Sequence, residues 1–278
     1  MVKTGVTIAS LLLICVSAVC PSWAREPGGA GASIGFVEHY PEGRIDWASG
    51  LVQAFGVSSG GAGVSSAAQA QALEKARRAL ASLLCKIMVS SGRSVGAFLS
   101  GNAAARAEMA EIIQGSQLID RKYYSDGSVE VRTALSIRGG LMQLLLPREV
   151  KSIPSLTQVS GQIRPEAHYS GLVVDARGLG ARPALCPRLL AEDGSLVFGP
   201  ALVRREPAVQ HGVAIYVTAM PGGTEGRVGA RPLVVKGLRA SGQGACDIVL
   251  DRAEVSRVRS VPESVDFLQR RGLLIIID

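Results

Sequence analysis

The chain has 278 residues, with 30 Lys and Arg against 23 Asp and Glu, a formal net charge of +7 at neutral pH. That length allows one large domain or two modest ones, each with its own core. Basic and acidic residues interleave without a block of like charge, so the pattern is a solvated surface and gives no ground for nucleic acid as a partner.

Chain order begins with an export signal. Lys3 supplies a positive start, Val6–Val19 (VTIASLLLICVSAV) is uncharged and apolar, and Pro21 breaks the run before Ser22-Trp23-Ala24, a small-x-small cleavage site. The apolar core is shorter than the roughly 20 residues of a spanning helix. Val19 before Cys20 is a poor lipoprotein site, so cleavage after Ala24 without acylation is expected, leaving a mature chain that starts at Arg25 and has no transmembrane segment. Its compartment is then periplasmic or secreted. The polyanions within reach of a basic surface there are lipid headgroups, surface polysaccharide and cell wall.

Residues 25–42 are expected to form a flexible lead. Gly31-Ala32-Ser33-Ile34-Gly35 inside it matches the G-x-S-x-G nucleophile pattern, but no strand precedes it to thrust the serine out, so the match is accidental. Arg44–Val57 (RIDWASGLVQAFGV) is rich in β-formers and predicts one long strand. Ser58–Gly63 turns the chain, and Ser65 or Ser66 caps a helix to about Val89. Its apolar stripe is Leu73, Ala76, Leu80, Leu83, Leu84 and Ile87. The glycine turn lacks the Gly-Lys-Ser/Thr ending of a phosphate-binding loop.

An alanine-rich helix follows over Asn102–Gln114. Strands Gln117–Tyr124 and Ser128–Ile137 flank the hairpin signal Asp126-Gly127, and a short apolar helix, Gly139–Leu146, ends at Pro147. Residues 43–150 therefore form an α+β domain, a small antiparallel sheet with helices on one face. Lys151–Glu166, with two prolines and no strong period, is expected to be a linker to a second, α/β domain at 167–278 with a mixed sheet.

In that second domain short apolar runs end in polar residues: Gly171–Asp175, Pro232–Lys236, Asp247–Asp251 and Leu273–Asp278. Such runs suit strands covered on both faces. Glu192-Asp193-Gly194 marks a hairpin between Arg188–Ala191 and Ser195–Phe198. Asp251 can cap a helix over Arg252–Ser260, and Pro262 opens another that closes at Arg270, Arg271 and Gly272. Strand, helices, strand is a crossover, and predicts a parallel pair.

Ile45-Asp46-Trp47 with Gly56, the Ser-Ala-Ala-Gln-Ala start at 66–70, and Tyr124–Val131 (YSDGSVEV) together resemble the LPP-type envelope lipoprotein domain. That domain is also found at the start of the flagellar assembly protein FlgT. The run from Tyr169–Gly178 through Pro232–Lys236 to Ile275–Asp278 is similar to secreted proteins that pair such a domain with a second α/β module. The resemblance implies a non-enzymatic protein of the periplasm or outer membrane, with envelope or flagellar-base proteins as partners. It implies no cofactor.

The residues themselves offer few candidate sites. His39, His168 and His211 are far apart, and Glu166 with His168 is the one acid–imidazole spacing that a strand would place on one face. Asp175 and Arg177 stand at the carboxyl end of a buried strand, where ligands collect in parallel sheets. With Arg188 they form the candidate anion-binding set, against the alternative of an Asp–Arg bridge that only fixes a loop. Cys85, Cys186 and Cys246 remain after signal removal; no CxxC occurs. A Cys186–Cys246 disulfide is expected, with three reduced thiols as the alternative.

Overall fold

A computed structural model of the chain describes residues 34–60, 66–146, 169–220, 227–261 and 273–278. The export signal, the Ser65 cap, the 151–166 linker, Glu166, His168 and the helix after Pro262 lie outside the described residues. The protein is α+β, with an antiparallel sheet in its N-terminal half and a mixed sheet in its C-terminal half.

The antiparallel sheet runs β1 (Val37–Tyr40), β2 (Gly43–Asp46), β3 (Leu51–Val57), β7 (Val129–Ser136) and β6 (Gln117–Tyr123) in spatial order. The expected single strand over Arg44–Val57 is in fact the hairpin β2–β3, with Ile45 opposite Val52. Asp46 makes the turn: its Oδ1 accepts from the Ala48 and Ser49 amides at 3.0 and 2.9 Å. Gly50 completes it at φ +72°, a conformation that only glycine adopts without cost. Part of the expected flexible lead is ordered as well, since Val37–Tyr40 is β1.

Helix α1 (Ser66–Lys86) covers this sheet with Ala72, Ala76, Leu80, Leu83 and Leu84. It approaches β3 so closely that a Cβ on Gly56 would stand 2.3 Å from the Ala76 nitrogen. The helix stops three residues before the expected Val89. Met88–Ser90 is instead strand β4, paired with β5 (Arg93–Ser94). The Met88 and Val89 carbonyls accept from the amides of Leu185 and Cys186 at 2.9 and 2.8 Å, so a distant segment captures the backbone there. Helix α2 (Val95–Ser100) follows, then α3 (Ala103–Gln114), capped by the Asn102 side chain on the Ala105 amide. Asp126-Gly127 turns β6 into β7 as expected, and α4 (Gly140–Leu145) closes the half.

Two further sheets form the C-terminal half. One is wholly parallel, in the order β11 (Ala214–Val217), β15 (Leu273–Ile276), β8 (Leu172–Asp175), β12 (Leu233–Lys236). The other is mixed, in the order β10 (Leu196–Phe198), β9 (Leu189–Ala191), β14 (Asp247–Leu250), β13 (Arg239–Ser241). Helix α5 (Arg205–His211) precedes β11, and α6 (Arg252–Arg259), capped by Asp251, follows β14. The expected parallel pairing of β14 with β15 does not occur. Strand β14 pairs with β9, and β15 inserts between β11 and β8, so the connection carries the chain from one sheet to the other. All four residues of both strands are buried, so local pattern could not distinguish the sheets.

Residues 33–278 form one compact unit. Buried side chains from before and after residues 147–168, among them Trp47, Leu83 and Leu141 with Leu172, Phe198 and Tyr216, belong to one apolar cluster. Trp47 meets Tyr216 edge-on, with ring centroids 5.5 Å apart. The Tyr216 hydroxyl donates to the Ala184 carbonyl at 2.9 Å and accepts from the Ala184 amide at 3.0 Å, so this buried phenol is fully engaged.

Candidate functional site

Asp175 is the last residue of β8, and the chain leaves the sheet there through Gly178 and Gly180, both at positive φ. Arg177 folds back onto it. Its Nε donates to Asp175 Oδ1 at 2.9 Å and a terminal nitrogen donates to Oδ2 at 2.6 Å, while the Arg177 amide also reaches Oδ1 at 3.2 Å. The Arg177 hydrogen bond, helped by the charge of Lys236 at the end of β12, holds the Asp175 carboxyl below the usual carboxylate range. Asp278, following β15, accepts from the Gly178 amide. The carboxyl ends of three adjacent parallel strands thus carry Asp278, Asp175 and Lys236, with Asp175 bound by its near neighbour Arg177. This is the turn-fixing bridge; its guanidinium stays half exposed.

Arg188 does not join that group. It enters β9 in the mixed sheet, where its Nε donates to Asp247 Oδ1 at 3.1 Å and a terminal nitrogen donates to Oδ2. Asp247 is 1% exposed at the start of β14. A bidentate fork on a buried carboxylate aligns β9 with β14 in their parallel register, Ile248 opposite Leu189. The three residues expected to share an anion site therefore serve two ion pairs in two sheets.

The adjacent carboxylates Glu192 and Asp193 are also structural. Asp193 Oδ1 accepts from the Ser195 amide at 2.9 Å within the turn, and Glu192 accepts from the Arg252 amide at the start of α6. His211 ends α5, and His39 lies on β1. Among the described residues no group of three or more His, Cys, Asp or Glu is placed to hold a metal ion.

The expected Cys186–Cys246 bond is absent: Cys85, Cys186 and Cys246 are free thiols. Cys246 Sγ instead lies against the Gly244 carbonyl at 3.1 Å. Burial pushes the Cys186 thiol up to about 12 and the Cys246 thiol up to about 11. Groups so unwilling to ionise are poor nucleophiles at neutral pH.

Two further arginines, which no motif marks, stand elsewhere. Arg138 follows β7, and Arg227 precedes β12. Arg138, with Trp47, Gly50, Gly212 and Ala214, lines a cavity of about 10 Å³ between the two halves. Nothing in the pattern links Ile137-Arg138-Gly139 with Gly226-Arg227-Val228, because each looks like an ordinary loop arginine and only tertiary folding brings them together.

With this geometry in place, comparison with known proteins is informative for the C-terminal half. A family model described as the second domain of Treponema pallidum Tp0624 matches residues 171–278. The matched span opens directly before β8 and includes both C-terminal sheets. No curated protein matches the chain. Among the described residues no helix is long and apolar enough to cross a membrane.

Proposed function

We propose that this chain is an exported cell-envelope protein that works through its surfaces, in a structural or assembly role at the outer membrane or flagellar base, and not by turnover. The observation that carries the reading is strand β6. It is one of the two edge strands of the antiparallel sheet, and Leu118, Ile119 and Tyr123 on it, with Tyr124 just beyond, are between 39% and 51% exposed. An edge strand presents unpaired backbone donors and acceptors, a template for another chain. Apolar side chains interspersed with Asp120, Arg121 and Lys122 suit a partner that is itself folded and amphipathic. Support also comes from the Val6–Ala24 export pattern and from the resemblance of the N-terminal half to LPP-type and FlgT domains.

The test is site-specific photocrosslinking in intact cells with the reactive group at Ile119, alongside a control at exposed Arg78 on α1. A discrete adduct to one envelope or flagellar-base protein from Ile119 alone is expected. Equal, diffuse labelling from both positions refutes the reading. A second reading, a periplasmic module for an anionic ligand or envelope polymer, loses its expected residues to ion pairs at Asp175, Arg177 and Arg188. It draws support instead from Arg138 and Arg227.

A further inference from the structure

Ion pairs among the described residues join Arg132 to Glu130, Arg177 to Asp175 and Arg188 to Asp247; the partly buried Arg138 and Arg227 bond backbone carbonyls instead. A terminal nitrogen of Arg138 donates to the Ala48 carbonyl at 2.9 Å, and Gly50 leaves room for the guanidinium, since a Cβ there would stand 2.8 Å from its Nε. The two terminal nitrogens of Arg227 donate to the carbonyls of His211 and Gly212 at 2.6 and 2.7 Å, while its Nε is buried without an acceptor. Among the described residues no carboxylate hydrogen-bonds either side chain.

Carbonyl oxygens orient a guanidinium but bring no charge to cancel it, and a charge withdrawn from water without a counter-charge is costly. Burial pulls Arg227 down to about 10, and the positive charge of Arg138 acts in the same direction. Burial likewise lowers Arg138, with Asp46 opposing. Asp46 itself holds the Ala48 and Ser49 amides through Oδ1. Both arginines attend one cavity: Arg138 lines it directly, and Arg227 grips the Gly212 carbonyl in its wall.

We propose that Arg138 and Arg227 together bind a phosphate-type oxyanion at the mouth of this cavity. Free phosphate or a phosphate monoester carries about 1.5 to 2 negative charges near neutral pH, which matches two guanidiniums; Arg138 supplies donors to its oxygens at the cavity and Arg227 supplies charge from the wall. At about 10 Å³ the cavity admits one oxygen-sized group, so the ligand inserts a single oxygen and keeps the remainder outside. The site thus takes free phosphate or the phosphate of a larger headgroup. This inference rests on the anion-binding reading, which it moves away from Asp175, Arg177 and Arg188.

The experiment compares the protein beginning at Arg25 with its Arg138→Gln, Arg138→Lys, Arg177→Ala and Arg188→Ala variants, at an ionic strength fixed with sodium chloride. One arm titrates inorganic phosphate and reads Tm and calorimetric binding; the other measures flotation with phosphatidylcholine vesicles carrying phosphatidic acid, whose phosphate is a monoester. Arg138→Gln removes the charge and keeps a neutral polar amide at a partly buried position, so it should fold; Arg138→Lys, which keeps the charge and loses the fork, covers the case in which it does not. Phosphate is expected to raise Tm saturably, with affinity about tenfold weaker in Arg138→Gln or, should that variant not fold, at least threefold weaker in Arg138→Lys. Dependence on Arg138 in the phosphate arm assigns a soluble ligand, and dependence in the vesicle arm alone assigns a lipid headgroup. Binding that survives the Arg138 changes but falls in Arg177→Ala or Arg188→Ala overturns this inference alone. Absence of binding in both arms, or binding that no variant weakens, overturns it together with the anion-binding reading.

Discussion

Replacing Tyr216 by Phe tests whether the two halves share one core. The ring, and with it the edge-on contact with Trp47, is retained; only the hydroxyl leaves. That hydroxyl makes two hydrogen bonds to Ala184, one to its carbonyl and one from its amide. Tyr216 is 1% exposed, and Ala184 likewise, so water cannot replace either bond. Each buried backbone group left without a partner costs about 1–3 kcal/mol, offset by relief of the phenol's own desolvation, for a net loss of about 2–4 kcal/mol. For a chain of this size that is a fall in Tm of roughly 4–15 °C. The chain has two tryptophans, of which Trp23 precedes the expected cleavage point, so in protein beginning at Arg25 the fluorescence reports Trp47 alone. Urea unfolding followed by that fluorescence and by far-ultraviolet circular dichroism should give coincident transitions, both shifted equally by the substitution. A loss below about 0.5 kcal/mol would refute the magnitude assigned to the two Ala184 hydrogen bonds, and a Trp47 transition separated from the circular dichroism would refute the shared core.

Removing Arg188 should leave the Asp247 carboxylate buried and unpaired, so Arg188→Met is expected to cost about 2–4 kcal/mol in urea unfolding, below the full buried-pair value because Arg188 is half in water. The double change Arg188→Met with Asp247→Leu should recover most of that loss, and a double variant less stable than the single one contradicts the account. Asp175 is held below its unfolded pKa, so its bridge contributes stability that is present above the ordinary carboxylate range of about 4 and is lost as pH falls through the folded value. The stability gap between wild type and Asp175→Asn should accordingly be flat above about pH 5 and close in acid; a gap that widens on acidification has the wrong sign. Alkylation at pH 8 should modify exposed Cys85 in the native protein and reach Cys186 and Cys246 only on unfolding. Gly56→Ala should destabilise by about 1–3 kcal/mol, because the added methyl meets helix backbone that cannot swing aside, and an unchanged Tm would show that α1 can shift.

The sequence by itself determined the elements whose signals are local. The stripe Ala76, Leu80, Leu83 and Leu84 makes an amphipathic helix wherever it packs, Asp126-Gly127 turns the chain in any context, and Asp251 caps whatever helix follows it. Even the hairpin at Asp46 and Gly50 was written in turn residues, though its β-rich flanks masked it. Tertiary structure decided the rest, because a buried apolar run satisfies its backbone equally well beside many neighbours. Strands β14 and β15 look alike in sequence, and only the competition for β9 and β8 placed them in separate sheets. The end of α1 was set by the Leu185 and Cys186 amides donating to the Met88 and Val89 carbonyls, and no helix-stop signal records a partner so far along the chain. Ion pairs behave in the same way. Asp175 and Arg177 meet across two residues, so their bridge was legible in the sequence. The Arg188–Asp247 pair and the carbonyl-bound Arg138 and Arg227 depend on chain segments brought together by a core that residues on both sides of 147–168 build jointly.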